Sequence, residues 1–248
     1  MAEPVPALDR ALTMLEAIAQ SRRGYSVSEL SRRLALPKSS AYLILRTLER
    51  RGYVQKLPAG GRYRLGAQAL ALGRSAQQGF DVREAALPAL AALASQTSLT
   101  AELGTLDRLD AVVIERVEST ASVRVTSWIG RRYGATTSAL GKALLAFLPD
   151  PVFDAQIRPA RLPRPTERAI TTIGALTREL DRVRELGFAV SDEEEEPGVR
   201  SVAAPVLDAR HHAMAAIAIS GTTWQIPADR VSPLGALVKE MAERINEK

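Results

Sequence analysis

Apolar residues recur at helical spacing from the beginning of the chain. In VPALDRALTMLEAIAQ (5–20), Leu8, Ala11, Leu12, Leu15, Ile18 and Ala19 share one predicted face, and SRRG breaks the pattern. SVSELSRRLAL offers a short second helix, capped by Ser26 or Ser28, with Leu30 and Leu34 inward. A third helix is predicted up to Arg51. Its Ala41, Ile44, Leu45 and Leu48 fall at i, i+3, i+4 and i+7, Pro37 suits its first turn, and Gly52 is its stop. Tyr53–Leu57 and Arg62–Leu65 are short β-like runs around a Pro-Ala-Gly-Gly turn, which is a hairpin signal.

The pattern changes further on. Residues 66–80 read as an Ala/Leu helix with few charges, suited to joining domains. The next helical run (Val82, Ala85, Ala86, Leu90, Leu93) contains Pro88, which is expected to kink or restart it. From Leu99 the signal is β: TAELGTL, AVVIERV and SVRVTSWI alternate or run β-branched. A helix is predicted over Ser138–Leu148, a Pro/Arg-rich loop over 158–169, and a helix over Leu176–Leu186 stopped by Gly187. Strands at Val199–Leu207 and Ala213–Ser220 flank a turn at DARHH, and Pro227–Asn246 closes the chain as an amphipathic helix. Neither an internal repeat nor a heptad array is found.

Charge sharpens the picture once it is divided along the sequence. Residues 1–80 hold 13 basic and 5 acidic side chains, net +8, whereas the remainder holds 20 and 23, net −3. A basic first third suggests an arm for a polyanion. The outer face of the third helix agrees, because Lys38, Ser39, Tyr42, Leu43, Arg46 and Arg50 crowd it. The order helix, helix, turn, helix, hairpin is that of a winged helix-turn-helix, assigned to residues 1–66, whose third helix would lie in a major groove. Lys38, Ser39 and Ser40 would reach phosphates, while Tyr42, Leu43 and Arg46 would reach base edges or thymine methyls. Lys56, Arg62 and Arg64 on the hairpin would track the DNA backbone or the neighbouring minor groove.

Cysteine is absent, which excludes disulfides, thiolate chemistry and zinc-thiolate sites. MAEPVPALDR lacks a basic segment followed by an apolar one, and no apolar run approaches the ~18 residues of a membrane span. The expectation is a soluble, cytoplasmic protein without a cofactor.

PALDRALTMLEAIA, SVSELSRRLALPKSSAYLILRTLERRGYV and RYRLG resemble the winged helix-turn-helix of the IclR family of bacterial transcription regulators. RVESTASVRVTSWIGRRYGATTSALGKALLA and ELGFAVSDEEEEPGVRSVAAPVLDARHHAMAAIAISG resemble its effector-binding domain. The likeness spans nearly the whole chain. It implies an α+β two-domain protein: the DNA-binding domain at 1–66, a linker helix at 67–82, and a GAF-like α/β effector-binding domain at 83–248. It also implies a homodimer or dimer of dimers, palindromic operator DNA, and a small organic effector. Carried over, the effector pocket would use the amides of Ala139 and Leu140, with Ser191, Ser201, Ala218 and Ser220. A helix N-terminus independently offers free N–H groups to a carboxylate. Keto-acid-binding members often have aspartate at the place of Ser191, cysteine at Ser201 and serine at Ala218. The expected effector is therefore a carboxylate or amide, aromatic ones included, with Trp128 as a candidate flat wall.

Other chemistry has weaker signals. Ser138 and Lys142 are one helical turn apart and could be a nucleophile and base, but Lys142 is expected to extend to solvent. His211 and His212 share a turn that could bind metal or simply be solvated. The acidic run Asp192–Glu196 could bind a cation or form a solvated loop. The alternative function is an enzyme, such as a small hydrolase with an accessory nucleic-acid module. The absence of cysteine, of a glycine-rich phosphate loop and of a metal motif weighs against it.

Overall fold

The computed structural model describes residues 5–21, 23–58, 60–77, 81–158 and 160–246. Residues 1–4, part of the segment tested for a leader, and 78–80 of the linker lie outside these. The chain divides into two compact units, 1–80 and 81–248.

In the first unit α1 (Pro6–Ala19), α2 (Val27–Arg33) and α3 (Lys38–Arg50) precede a hairpin of β1 (Val54–Lys56) and β2 (Tyr63–Leu65), and α4 (Ala67–Gln77) follows. Ser26 rather than Ser28 caps α2. Its hydroxyl accepts from the Glu29 amide while Glu29 accepts from the Ser26 amide at 2.7 Å, a reciprocal capping box. Pro37 is the N-cap of α3, one position before the first turn. Met14, Ile18, Leu30, Ala41, Leu45, Leu48, Val54 and Tyr63 form the core. The face expected for α1 is thereby corrected. Leu8 and Leu12 are exposed, because Met14, Ala17 and Ile18 are the residues that meet α3 and the hairpin.

In the second unit α5 (Asp81–Thr97) precedes β3 (Thr100–Asp107), β4 (Asp110–Val117) and the short β5 (Arg132–Gly134). Then come α6 (Ala139–Ala146), α7 (Asp150–Gln156), α8 (Ile173–Leu186), β6 (Ala189–Asp192), β7 (Val199–Leu207), β8 (Ala213–Thr222) and α9 (Ala228–Asn246). Six strands pair antiparallel in the order β5-β4-β3-β8-β7-β6. Side chains alternate across the sheet. Leu99, Ala101, Leu103, Val202, Ala204, Ile217 and Ile219 pack with α5 and α9. On the other face Ala111, Val113, Ala203, Ala216 and Ala218 pack with α6 and α8. Because both faces are covered, even the alternate residues of the central strands are buried.

Several expectations fail on packing. Helix α5 does not restart at Pro88 but continues through it as one segment, its Ala86, Ala89, Leu90 and Leu93 buried against the sheet. The run 122–129 forms no strand, and β5 begins only at Arg132. Helix α7 and strands β5 and β6 were not foreseen. Among the described residues no helix is long and apolar enough to cross a membrane.

Candidate functional site

The outer face of α3 is available. Lys38, Ser39, Tyr42, Leu43 and Arg46 are exposed and Ser40 is half-buried, while Ala41, Leu45 and Leu48 hold the opposite face in the core. The Arg46 guanidinium lies 6.0 Å from the Tyr42 ring, so the two present a joined polar and aromatic edge. On the hairpin Lys56 and Arg64 are exposed. Arg62 is different. Its guanidinium donates to Glu29 at 2.7 Å and to the Gly24 carbonyl at 2.9 Å, tying the wing to α2. Two of its five N–H donors are thus committed within the domain, while its side chain stays 37% exposed. The Ser26 amide and hydroxyl, and then Arg62, hold the Glu29 carboxyl below its usual range.

The second site begins with register. Ser191, Ser201 and Ser220 are direct cross-strand partners on β6, β7 and β8, so they share one face; Ala218 is two residues from Ser220 on that same face. Helix α6 crosses this face. Gly141 lets α6 fold back closely on the segment that leads into it, because a β-carbon there would stand 2.3 Å from the Ala135 Cα. Ser138 caps α6, its hydroxyl accepting from the Gly141 amide at 3.1 Å and donating to the Gly134 carbonyl at 2.8 Å. The amides of Ala139 and Leu140 have no hydrogen-bond partner among the described residues. Ser191 donates to the Thr137 carbonyl at 2.7 Å and so fixes the entry of α6 against β6.

Between these elements lies a cavity of about 30 Å³, lined by Leu140, Ser191, Ser201, Ala218 and Ser220 together with Ser138, Glu102, Val125, Arg131, Tyr133, Glu195, Glu196 and Val199. The sequence-derived residues thus converge, apart from Ala139, whose side chain is in the core, and Trp128. Trp128 is corrected: it is 44% exposed and outside the lining, with the Arg131 guanidinium 5.0 Å from its ring. A larger groove of about 490 Å³ at the edge strand β6, between α8 and α9, takes in Asp192 and Glu194 of the acidic run but none of the residues expected to line the effector pocket. The free amides and the serine row meet at the smaller cavity.

Glu102, Arg131, Tyr133 and Glu195 were missed by sequence reasoning. Glu102 sits on β3 opposite Ala218 and is 1% exposed. It accepts from the Tyr133 hydroxyl and from Ser220 Oγ, both at 3.1 Å. Burial, and then the neighbouring Glu102, push the Tyr133 phenol upward, so it remains a donor. Arg131 lies over the Tyr133 ring at 4.6 Å and reaches Glu196 at 3.4 Å. Glu195 accepts from the Thr137 hydroxyl and from the Gly134 amide.

The acidic run is not a solvated loop. Asp192 pairs with Arg168 and Arg200, Glu193 with Arg168, and Glu194 with Lys142 at 2.6 Å. Lys142 is 1% exposed and also meets Glu179 at 3.1 Å. Its expected extension to solvent is corrected, and its ammonium is held by two carboxylates away from any role as base to Ser138. Burial raises the Glu194 carboxyl, with Lys142 opposing the rise. His211 is exposed in a turn organised by Asp208, which accepts from the amides of Arg210 and His212. Among the described residues no cluster of three metal-ligating side chains occurs.

A winged helix-turn-helix with an available basic helix, joined to an α/β domain around a polar cavity, defines a DNA-binding regulator with an effector domain. Family models described as the IclR helix-turn-helix domain and the bacterial transcriptional regulator IclR C-terminal domain match residues 7–58 and 74–247. The chain belongs to the IclR family of bacterial transcriptional regulators. It is 33% identical over 247 residues to the glycerol operon regulatory protein of Streptomyces griseus, covering 100% of this chain and 94% of that one. It is 30% identical over 243 residues to the transcriptional repressor IclR of Escherichia coli K12, covering 97% and 89%. An IclR homologue from Microbacterium hydrocarbonoxydans, solved in complex with 4-hydroxybenzoate, has a TM-score of 0.81 at 22% identity over 97% and 98% of the two chains, a likeness of fold. The relatives named as regulators give the hydrolase alternative no support.

Proposed function

We propose that this protein is a cytoplasmic, non-enzymatic regulator that binds palindromic operator DNA as a homodimer or dimer of dimers and is controlled by a small organic effector in the β3/β7/β8/α6 cavity. The observation that carries this reading is the convergence of Leu140, Ser191, Ser201, Ala218 and Ser220 on one cavity beside two free helix amides. Those amides and the positive end of α6 suit a carboxylate or carbonyl. An aromatic effector loses its main argument once Trp128 leaves the lining. Exposed Leu8 and Leu12 on α1 and Val5 just before it, with Leu70 and Leu72 on α4, are apolar surface for a second copy to cover.

A cavity of about 30 Å³ has room for about one water. A larger effector enters only if the walls part, and the Arg131–Glu196 contact joins two of them, the 118–131 loop and the acidic run. Binding energy spent on parting those walls is the differential affinity through which an effector can shift DNA binding. Fluorescence anisotropy against DNA from upstream of its own gene tests the function: the protein should bind with affinity falling steeply with salt. Equal affinity for unrelated duplexes, or turnover of candidate effectors, would overturn it.

A further inference from the structure

Glu102 stands out among the buried polar groups of the second unit. It is 1% exposed and lines the cavity, and no cation pairs with it among the described residues. The other buried ionic groups have partners of opposite charge, Lys142 with Glu179 and Glu194, and Glu115 with Arg83. Arg116 lies opposite Glu102 on β4, but its guanidinium is held by Glu118. Arg131 in the cavity wall is held by the Thr126 carbonyl and Glu196. What Glu102 does have are two hydroxyl donors, Tyr133 and Ser220, one on each carboxyl oxygen. A carboxylate offers about four acceptor directions, so further donors can be accommodated.

Burying a carboxylate without a cation is costly, and such groups persist where a function requires them. Glu195 and Glu196 add acidic groups to the same lining, which holds one guanidinium, that of Arg131. This cavity therefore favours a ligand that brings positive charge to the Glu102 end. The free amides of Ala139 and Leu140 favour an anionic or carbonyl oxygen at the other.

Resting on the effector reading above, we infer that the effector carries a basic nitrogen, an ammonium or amidinium, that pairs with Glu102, and a carboxylate or amide oxygen that meets the start of α6. Glu102 is then the residue that selects amino acids and amino amides over plain or hydroxylated acids.

The test uses the full chain and two matched sets: 4-(aminomethyl)benzoate, 4-(hydroxymethyl)benzoate and 4-methylbenzoate, and 5-aminopentanoate, 5-hydroxypentanoate and pentanoate. Thermal shift and calorimetry should show at least one amino member binding at least tenfold tighter than its hydroxy and methyl counterparts. That preference should vanish in Glu102→Gln, which keeps the shape, its amide oxygen accepting from one hydroxyl and its NH2 donating to the oxygen of the other. Without ligand, Glu102→Gln should melt at or above the wild-type temperature, because an uncompensated charge is gone. Hydrogen exchange at 139–141 locates the bound probe. Protection there with equal affinity for amino and non-amino members, or an unchanged preference in Glu102→Gln, overturns the selectivity while leaving the pocket in place. Binding without protection at 139–141 overturns both readings. A panel with no amino member bound, or a Glu102→Gln melting several degrees low, also overturns the inference.

Discussion

Replacing Lys142 with methionine removes the one cation shared by Glu194 and Glu179 while keeping an unbranched side chain of similar length. The ammonium is 1% exposed, Glu194 11% and Glu179 22%. Glu179 can turn to water, but Glu194 cannot without dragging the acidic run, and its Oε2 already lacks a partner. Breaking a buried pair by removing one partner costs about 3–5 kcal/mol. The escape open to Glu179 puts this case at the lower end, about 3 kcal/mol, or a fall of roughly 6–12 °C in Tm for a domain of this size. The double variant with Glu194→Gln should recover most of the loss, because no orphan charge remains. The pH dependence follows from the sign. Glu194 is raised by burial and would rise further without Lys142. A carboxyl raised in the folded state supports stability below its ordinary pKa and withdraws that support as pH rises through the folded value. The deficit of Lys142→Met should thus be small near pH 4 and full by pH 7. Thermal denaturation across that range is the assay. A deficit under about 1 kcal/mol, flat with pH, would mean that the ammonium is hydrated and the triad does not tie α6 to α8 and the acidic run.

Arg46→Ala should relax base preference, and Lys56→Ala or Arg64→Ala should each reduce the salt slope of DNA binding by about one, read by anisotropy at several salt concentrations. Arg62→Ala should instead lower the Tm of the DNA-binding unit, since it loses Glu29 and the Gly24 carbonyl; a changed salt slope with unchanged Tm would mark it as a phosphate ligand. Gly141→Ala should destabilise the effector domain beyond the ~1–3 kcal/mol of ordinary overpacking, because the new methyl meets backbone at 2.3 Å; wild-type denaturant midpoints would contradict the packing. Leu70→Pro should interrupt α4 and uncouple effector binding from DNA release with effector affinity kept; intact coupling, seen by anisotropy with effector, would exclude α4 from signal transfer.

The DNA-binding unit was readable because its signals are local. Ser26 and Glu29 spell a capping box, α3 carries a clean apolar stripe, and Gly52 takes the φ of 76° that ends it. The serine row was readable through family motifs. Its lining partners were not, for a physical reason. In TAELGTL the alternation marks Glu102 as the polar face of a half-buried strand, and only the arrival of α6 over that face turns it inward. Likewise DEEEE reads as solvated until Arg168, Lys142, Thr137 and Arg131, from distant segments, are brought to it. Long-range pairing of charges leaves no periodicity in a sequence. Trp128 misled for the opposite reason: its β-like run suggested a strand leading to the pocket, whereas residues 122–129 are irregular.

The most direct measurement of the central claim is the coupling between cavity and operator. DNA anisotropy of the full chain, titrated with an effector found by thermal shift, is compared with that of Ala218→Leu, whose added methyls occupy the cavity between Ser201, Ser220 and Leu140. Both proteins should bind the operator with the same affinity and salt slope, and the effector should change that affinity only in the wild type, by the 5–150-fold typical of coupled sites. An Ala218→Leu protein that still responds fully to the effector would contradict the account.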